Sequence, residues 1–162
     1  MHIVREASEK DLPVLVKLGK QLLDLHFEFD PEYYDLEENA GLLFRDWLVS
    51  QLAQPNQFIF VAEVQNTGPR NGEIVGFISG FIKSLYPWFK TRRVGHVSYL
   101  VIDSACRNQG IGKLLSDESD RWFRSRKIKY VEVYVEGKNY PGQKAWFSYH
   151  FMPFKKFLRK RY

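Results

Sequence analysis

The stretch Arg107 to Gly112, reading Arg-Asn-Gln-Gly-Ile-Gly, constrains this chain more than any other. It follows the apolar run Val97 to Ile102. It also opens a segment in which Ile111, Leu114, Leu115 and Trp122 recur at helical spacing. A strand, a glycine-containing turn and a helix start therefore stand in immediate succession. That arrangement points several backbone N–H groups at one spot, with the positive end of a helix dipole behind them. Gly110 and Gly112 carry no Cβ, so an anion can approach the backbone closely. The ending Gly-Lys-Ser/Thr of a P-loop is missing, and Asn108 stands where a dinucleotide fingerprint needs its first glycine. Taken alone, the six residues fit an anion cradle and an ordinary strand-to-helix turn equally well.

The flanking sequence supplies the rest of an α/β pattern. His2 to Glu6 reads as a first strand. Ser8 and Asp11 resemble a capping box at a helix start, and Leu15, Leu18, Leu22 and Leu25 give that helix one apolar face until it fades between His26 and Pro31. A second helix is expected from Leu36 to Leu52, ended by Pro55. Phe58 to Val64 and Glu73 to Ile82 read as two strands of a hairpin, and Val94 to Ile102 as the next strand. The helix opened at Gly110 should end near Lys127. Val131, Val133 and Val135 alternate with polar residues as a strand does, Gly137 to Gly142 is a loop, Ala145 to Tyr149 is a short helix, and Pro153 to Leu158 is a last strand. The expectation is one α/β domain over residues 1–162, a mixed central sheet of six to seven strands flanked by about four helices.

Composition bounds the function. The single cysteine, Cys106, excludes an internal disulfide and suits a reducing, cytoplasmic setting. It reads as a small loop residue more readily than as a reactive thiol beside Arg107. No apolar run is long enough to cross a membrane, and Met1 to Glu6 lacks a signal-peptide pattern. The four histidines show no metal-ligand spacing with Cys106, so no metal is expected. The net charge of +5 favours an anionic partner, a nucleic acid or a phosphorylated cofactor.

The context of the loop carries a resemblance. Leu100 to Asp103, then Arg107, Gly110, Gly112, Lys113, Leu114 and Leu115, is similar to the central motif of the GNAT superfamily of acyl-CoA-dependent N-acetyltransferases. A second segment, with Ala145, Tyr149 and Phe154, resembles that family's later motif, although Ser148 replaces an apolar residue and Pro153 a glycine. The close likeness covers residues 94–154. It implies a GNAT-like fold with acetyl-CoA as acetyl donor. The main chain of Leu100, Val101 and Ile102 would pair with the pantetheine arm. Arg107, Asn108, Gln109, Gly110, Ile111, Gly112 and Lys113 would hold the pyrophosphate. Tyr149 would be the general acid for the leaving thiolate, as a phenol beside the sulfur can be. Asn139, three residues further from Ala145 than the family's usual Asn, is a weaker candidate for cofactor contact; Gly142 holds the usual place.

The base is harder to name. His96 alternates with Ser98 and Leu100, which places all three on one strand face, and a neutral imidazole is suited to take an amine proton. Tyr99, Glu132 and bulk water are the alternatives, and a packed strand-end histidine is the plain reading. Residues 28–38 combine Glu28, Asp30, Glu32, Asp35, Glu37 and Glu38 with Phe29, Tyr33 and Tyr34. They fit the site of a small-molecule or peptide amine, itself cationic, and they fit equally a solvated connection or a contact in a homodimer. The basic tail Lys155 to Arg161 reads as a solvated strand edge sooner than as a nucleic-acid contact. A catalytic N-acetyltransferase is the leading expectation. A CoA-binding sensor without catalysis and a basic nucleic-acid module stand beside it.

Overall fold

The computed structural model describes residues 1–162 as one five-stranded sheet with helices on both faces. The strands are β1 (His2–Glu6), β2 (Gln57–Val64), β3 (Ile74–Ser84), β4 (Arg93–Ile102) and β5 (Val131–Val133), and they lie side by side in chain order. β1 to β4 form an antiparallel meander; β5 joins β4 in parallel over only three residue pairs. The helices are α1 (Leu12–Phe29), α2 (Ala40–Leu52), α3 (Ile111–Ser125) and α4 (Tyr140–Ser148).

The period-two pattern of β2 explains the layering. Phe58, Phe60, Ala62 and Val64 pack on one face with Ile111, Leu115 and Phe123 of α3 and Trp146 of α4. Ile59 and Val61 pack on the other with Leu15 and Leu18 of α1 and Phe44 and Leu48 of α2. Where β2 is buried on both faces, from Phe58 to Ala62, every residue is apolar. At the start of the chain, Asp11 is buried, accepts the Ser8 backbone N–H at 2.7 Å and pairs with Arg5 at 2.8 Å, which fixes the entry into α1.

Several expectations are corrected. The sheet has five strands, not six or seven. Pro153 to Leu158 forms no strand, and Phe154, Phe157 and Leu158 are 79%, 88% and 86% exposed. Adjacent Phe157 and Leu158 cannot share one strand face, and β5 is too short to offer this segment an edge. The tail instead crosses to the α1–α2 connection, where Arg159 and Arg161 pair with Asp30 and Glu32. α2 starts at Ala40 rather than Leu36, because turns at 31–34 and 38–39 flank an irregular stretch at 35–37. α4 starts at Tyr140, inside the expected loop, because the Asn139 side chain caps it by accepting the Gly142 N–H at 2.9 Å.

Candidate active site

Three features of β4 build the site. The first is its edge. Gly95, His96 and Val97 pair with Val131, Glu132 and Val133, and there β5 ends. The stretch Tyr99 to Ile102 pairs with β3 on one side, and from Ser98 onward β4 has no strand on the other. It therefore presents a free backbone edge inside the fold rather than at its rim.

The second feature is a bulge. Ser79 opposes Tyr99 and Gly80 opposes Val97, so Ser98 is the extra residue. The bulge reverses the alternation beyond it: of His96, Ser98 and Leu100, expected on one face, Ser98 does line a cavity with His96, but Leu100 does not. Tyr99 lies with His96 on the α1–α2 side, where its ring meets Phe44 and Trp47 edge-on at 6.0 and 5.2 Å. Leu100 lies with Val97 on the α3 side. The unpaired edge of β4 beyond Val97 thus carries side chains to both faces of the sheet.

The third feature is the loop that follows. Asn108 and Gly110 both adopt positive φ, 61° and 78°, so consecutive amides turn inward before α3. No side chain caps the first turn of α3, which leaves its leading N–H groups for another acceptor. Gly112 serves a different need. A Cβ there would lie 2.4 Å from the Tyr149 hydroxyl, so only glycine lets the phenol sit against the start of α3. Leu100 lies on the same spot. The structure thereby brings together Leu100, Gly112 and Tyr149, residues drawn from three separate elements. Burial raises the Tyr149 phenol above its usual pKa and keeps it protonated.

The remaining expected residues are placed as follows. Val101 is buried on the α1–α2 face, and Ile102 packs from the opposite face. The Arg107 guanidinium bends back towards the Ile102 carbonyl at 3.4 Å, and Lys113 pairs with Asp117 one turn along α3. Gln109 lies exposed in the loop, and Ile111 is buried as the first residue of α3. The Asn139 carboxamide oxygen is engaged in capping α4, which leaves its Nδ2 for any other contact. Cys106 is buried and 3.4 Å from the Arg70 guanidinium.

On the α1–α2 face, Gln57, Phe81, His96 and Glu132 stand in one cross-strand row over four strands. Gln57, Phe81 and His96 of that row floor a cavity of about 520 Å³ that Trp47, Tyr99 and Tyr134 help to wall. His96 is 8% exposed, its ring lies 5.1 Å from Phe81 and 4.8 Å from Tyr134, and its Nδ1 has no partner. Burial, and then the nearby Lys83 charge, lower its pKa and hold the imidazole neutral. Glu132, the alternative base, pairs with Lys83 at 2.7 Å and is held below the usual carboxylate range by that bond. Burial raises the Tyr99 phenol, which keeps this other alternative protonated.

Sequence reasoning missed Gln57, Trp47 and Tyr134. The only signal was polar Gln57 immediately before the apolar run Phe58 to Ala62. The acidic stretch 28–38 contributes none of its carboxylates to the cavity wall. Asp30 and Glu32 are matched by the tail arginines at 2.8 and 2.6 Å, while Tyr34 donates to Glu136 at 2.9 Å.

The model of the acetyltransferase (GNAT) family matches residues 19–149, most of the chain. The chain belongs to the GNAT acetyltransferase family. A search of curated proteins finds no significant match. Among solved structures, a point mutant of the BH1408 protein from Bacillus halodurans shares the fold with a TM-score of 0.86 at 17% identity, covering 99% of each chain. The aminoglycoside N-acetyltransferase AAC(6')-Iy, in complex with the bisubstrate analogue CoA-S-monomethyl-acetylneamine, follows with a TM-score of 0.74 at 19% identity over 99% of each chain. The aminoglycoside acetyltransferase meta-AAC0020 from an uncultured soil metagenomic sample, in complex with sisomicin, aligns with a TM-score of 0.68 at 19% identity, covering 99% of this chain and 95% of its own. At these identities the likeness shows the fold. No helix of the GNAT chain is long and apolar enough to cross a membrane.

Proposed function

We propose that the chain is an N-acetyltransferase that moves an acetyl group from acetyl-CoA to a primary amine by direct attack in a ternary complex. The observation that carries this reading is the continuity of the free edge of β4, Ser98 to Ile102, with the uncapped start of α3 and the Tyr149 hydroxyl beside Gly112. A pantetheine amide chain needs backbone partners along an extended path, and a pyrophosphate needs convergent N–H donors at its end. The residues present fit both. The absence of a Cβ at Gly112 lets the Tyr149 phenol sit beside the start of α3, where a thioester sulfur would lie between the two.

In this reading the main chain of Leu100, Val101 and Ile102 pairs with the pantetheine arm. The amides of Arg107 to Gly112, with the cationic side chains of Arg107 and Lys113, hold the pyrophosphate. Asn139 contributes through Nδ2 or by steadying α4. The bound thioester supplies the activated acetyl group. His96 takes the proton of the attacking amine from the α1–α2 side. Backbone N–H groups at the β4 bulge polarise the carbonyl, and Tyr149 returns a proton to the departing sulfur from the α3 side. Aminoglycoside-acetylating neighbours with the same fold support an amine acceptor.

Calorimetric titration with acetyl-CoA tests the donor directly, and absence of binding at high micromolar concentration overturns the reading. Tyr149→Phe is expected to lower kcat by about a hundredfold with acetyl-CoA affinity retained. Unchanged turnover would remove Tyr149 from the acid role. Binding without turnover of any amine would favour a CoA sensor. Salt-dependent nucleic-acid binding that persists at saturating CoA would favour the basic module.

A further inference from the structure

The cavity on the α1–α2 face carries information about the acceptor that the sequence did not. None of its lining residues is Asp, Glu, Lys or Arg. Its walls are ring faces and carboxamides: Trp47, Tyr99 and Tyr134, with Gln51 and Gln57. Four carboxylates of the surrounding segments are already engaged. Glu132 is paired with Lys83, Asp30 with Arg159, Glu32 with Arg161, and Glu136 accepts the Tyr34 hydroxyl. At the cavity floor, Gln57 Oε1 and His96 Nδ1 are both buried without a hydrogen-bond partner. They belong to one row of the sheet, with Phe81 between them.

These facts select an occupant. An amine with a single charge can enter neutral by leaving that one proton to the solvent. A second ammonium on the same molecule would be desolvated against aromatic rings with no free carboxylate to meet it, which is costly. A primary amine, once neutral, still has two N–H donors, and the floor has two acceptors without donors. We infer that this cavity binds a primary monoamine borne on a flat, uncharged body. Trp47, Tyr99 and Tyr134 pack against that body, and the Gln57 carboxamide and His96 imidazole hold the amine. Gln57 is a positioning residue for the acceptor. The chemistry assigned to the amine rests on the acetyltransferase reading above, whereas the binding preference does not.

The test is equilibrium binding of 2-phenylethylamine and of spermidine to the full chain by calorimetry, with acetyl-CoA titrated separately. The wild type should bind 2-phenylethylamine at least about tenfold more tightly than spermidine. Gln57→Leu, which keeps the size and removes the acceptor, should weaken 2-phenylethylamine by about tenfold and leave acetyl-CoA affinity unchanged. Equal or tighter spermidine binding, or an unaltered affinity in Gln57→Leu, overturns the inference. Should Gln57→Leu not fold, Trp47→Leu must weaken 2-phenylethylamine to a similar extent, and the wild-type preference decides alone. Failure of acetyl-CoA to bind while the amine preference holds overturns the acetyltransferase reading and leaves the cavity's assignment standing. Acetyl-CoA binding with a spermidine preference does the reverse.

Discussion

At the scale of single residues, the site sets two titratable groups in opposed states on either side of one strand. Tyr149 is kept protonated by burial, as an acid needs, and His96 is kept neutral by burial and Lys83, as a base needs. The sign for His96 follows from its lowered pKa: the imidazole becomes charged only when the pH falls below that value. If His96 is the base, kcat/KM for the amine should therefore hold through neutral pH. It should fall on an acid limb whose midpoint lies below the ordinary histidine value of about 6.5. A pH–rate profile of His96→Gln should lack that limb while the protonation of the free amine still shapes the alkaline side. A limb that persists in the variant would assign the proton to another group. His96 and Tyr149 could both be named as candidates from the sequence. Their separation onto opposite faces was not, because a bulge at Ser98 leaves no mark in the local pattern of a strand that is apolar on both sides.

At the scale of elements, the start of α4 links local sequence to the acid. Asn139 caps the helix, Pro141 stands in its first turn, and eight residues after that proline Tyr149 closes it with its N–H bonded back to Ala145 and Trp146. Trp146 anchors the helix in the core, edge-on to Tyr149 at 5.7 Å. The hydroxyl is thus held in place by a cap at one end and a buried ring at the other. Asn139→Ala should lower stability by about 1 kcal/mol, read from chemical denaturation. It should also lower kcat, and Asn139→Asp or Asn139→Ser should restore both, since each keeps a capping oxygen. Restored stability without restored kcat would assign Asn139 a direct part at the site instead of a capping one. The helix and strand types were legible here from spacing, as was the β2–β3 hairpin. The start of α4 was missed because Tyr140, Pro141 and Gly142 read as turn residues until the cap is seen.

At the scale of the whole molecule, charge separation along the chain becomes contact across it. The acidic residues 28–38 and the basic tail, far apart in sequence, meet: Arg159 on Asp30, Arg161 on Glu32, and the Arg159 guanidinium 4.8 Å from the centre of the Tyr33 ring. Lys138 adds a bond to the Phe29 carbonyl at 2.6 Å. The sequence showed both charged runs but not their pairing, since nothing local specifies a partner 129 residues away. It also led to a strand at the tail, because local alternation cannot show whether a sheet edge is available to receive it. The tail buries few of its own apolar groups, so these exposed ion pairs are what hold it, and such pairs weaken as salt rises. Limited trypsin digestion should therefore cut after Arg159 and Lys160 faster at about 0.5 M salt than at about 0.05 M, while the body of the chain stays intact. Arg159→Gln combined with Arg161→Gln should remove those two anchors, raise cleavage after Lys160 at low salt and abolish most of the salt dependence there. A cleavage rate indifferent to both salt and substitution would mean that the exposed phenylalanines, not the arginines, hold the tail in place.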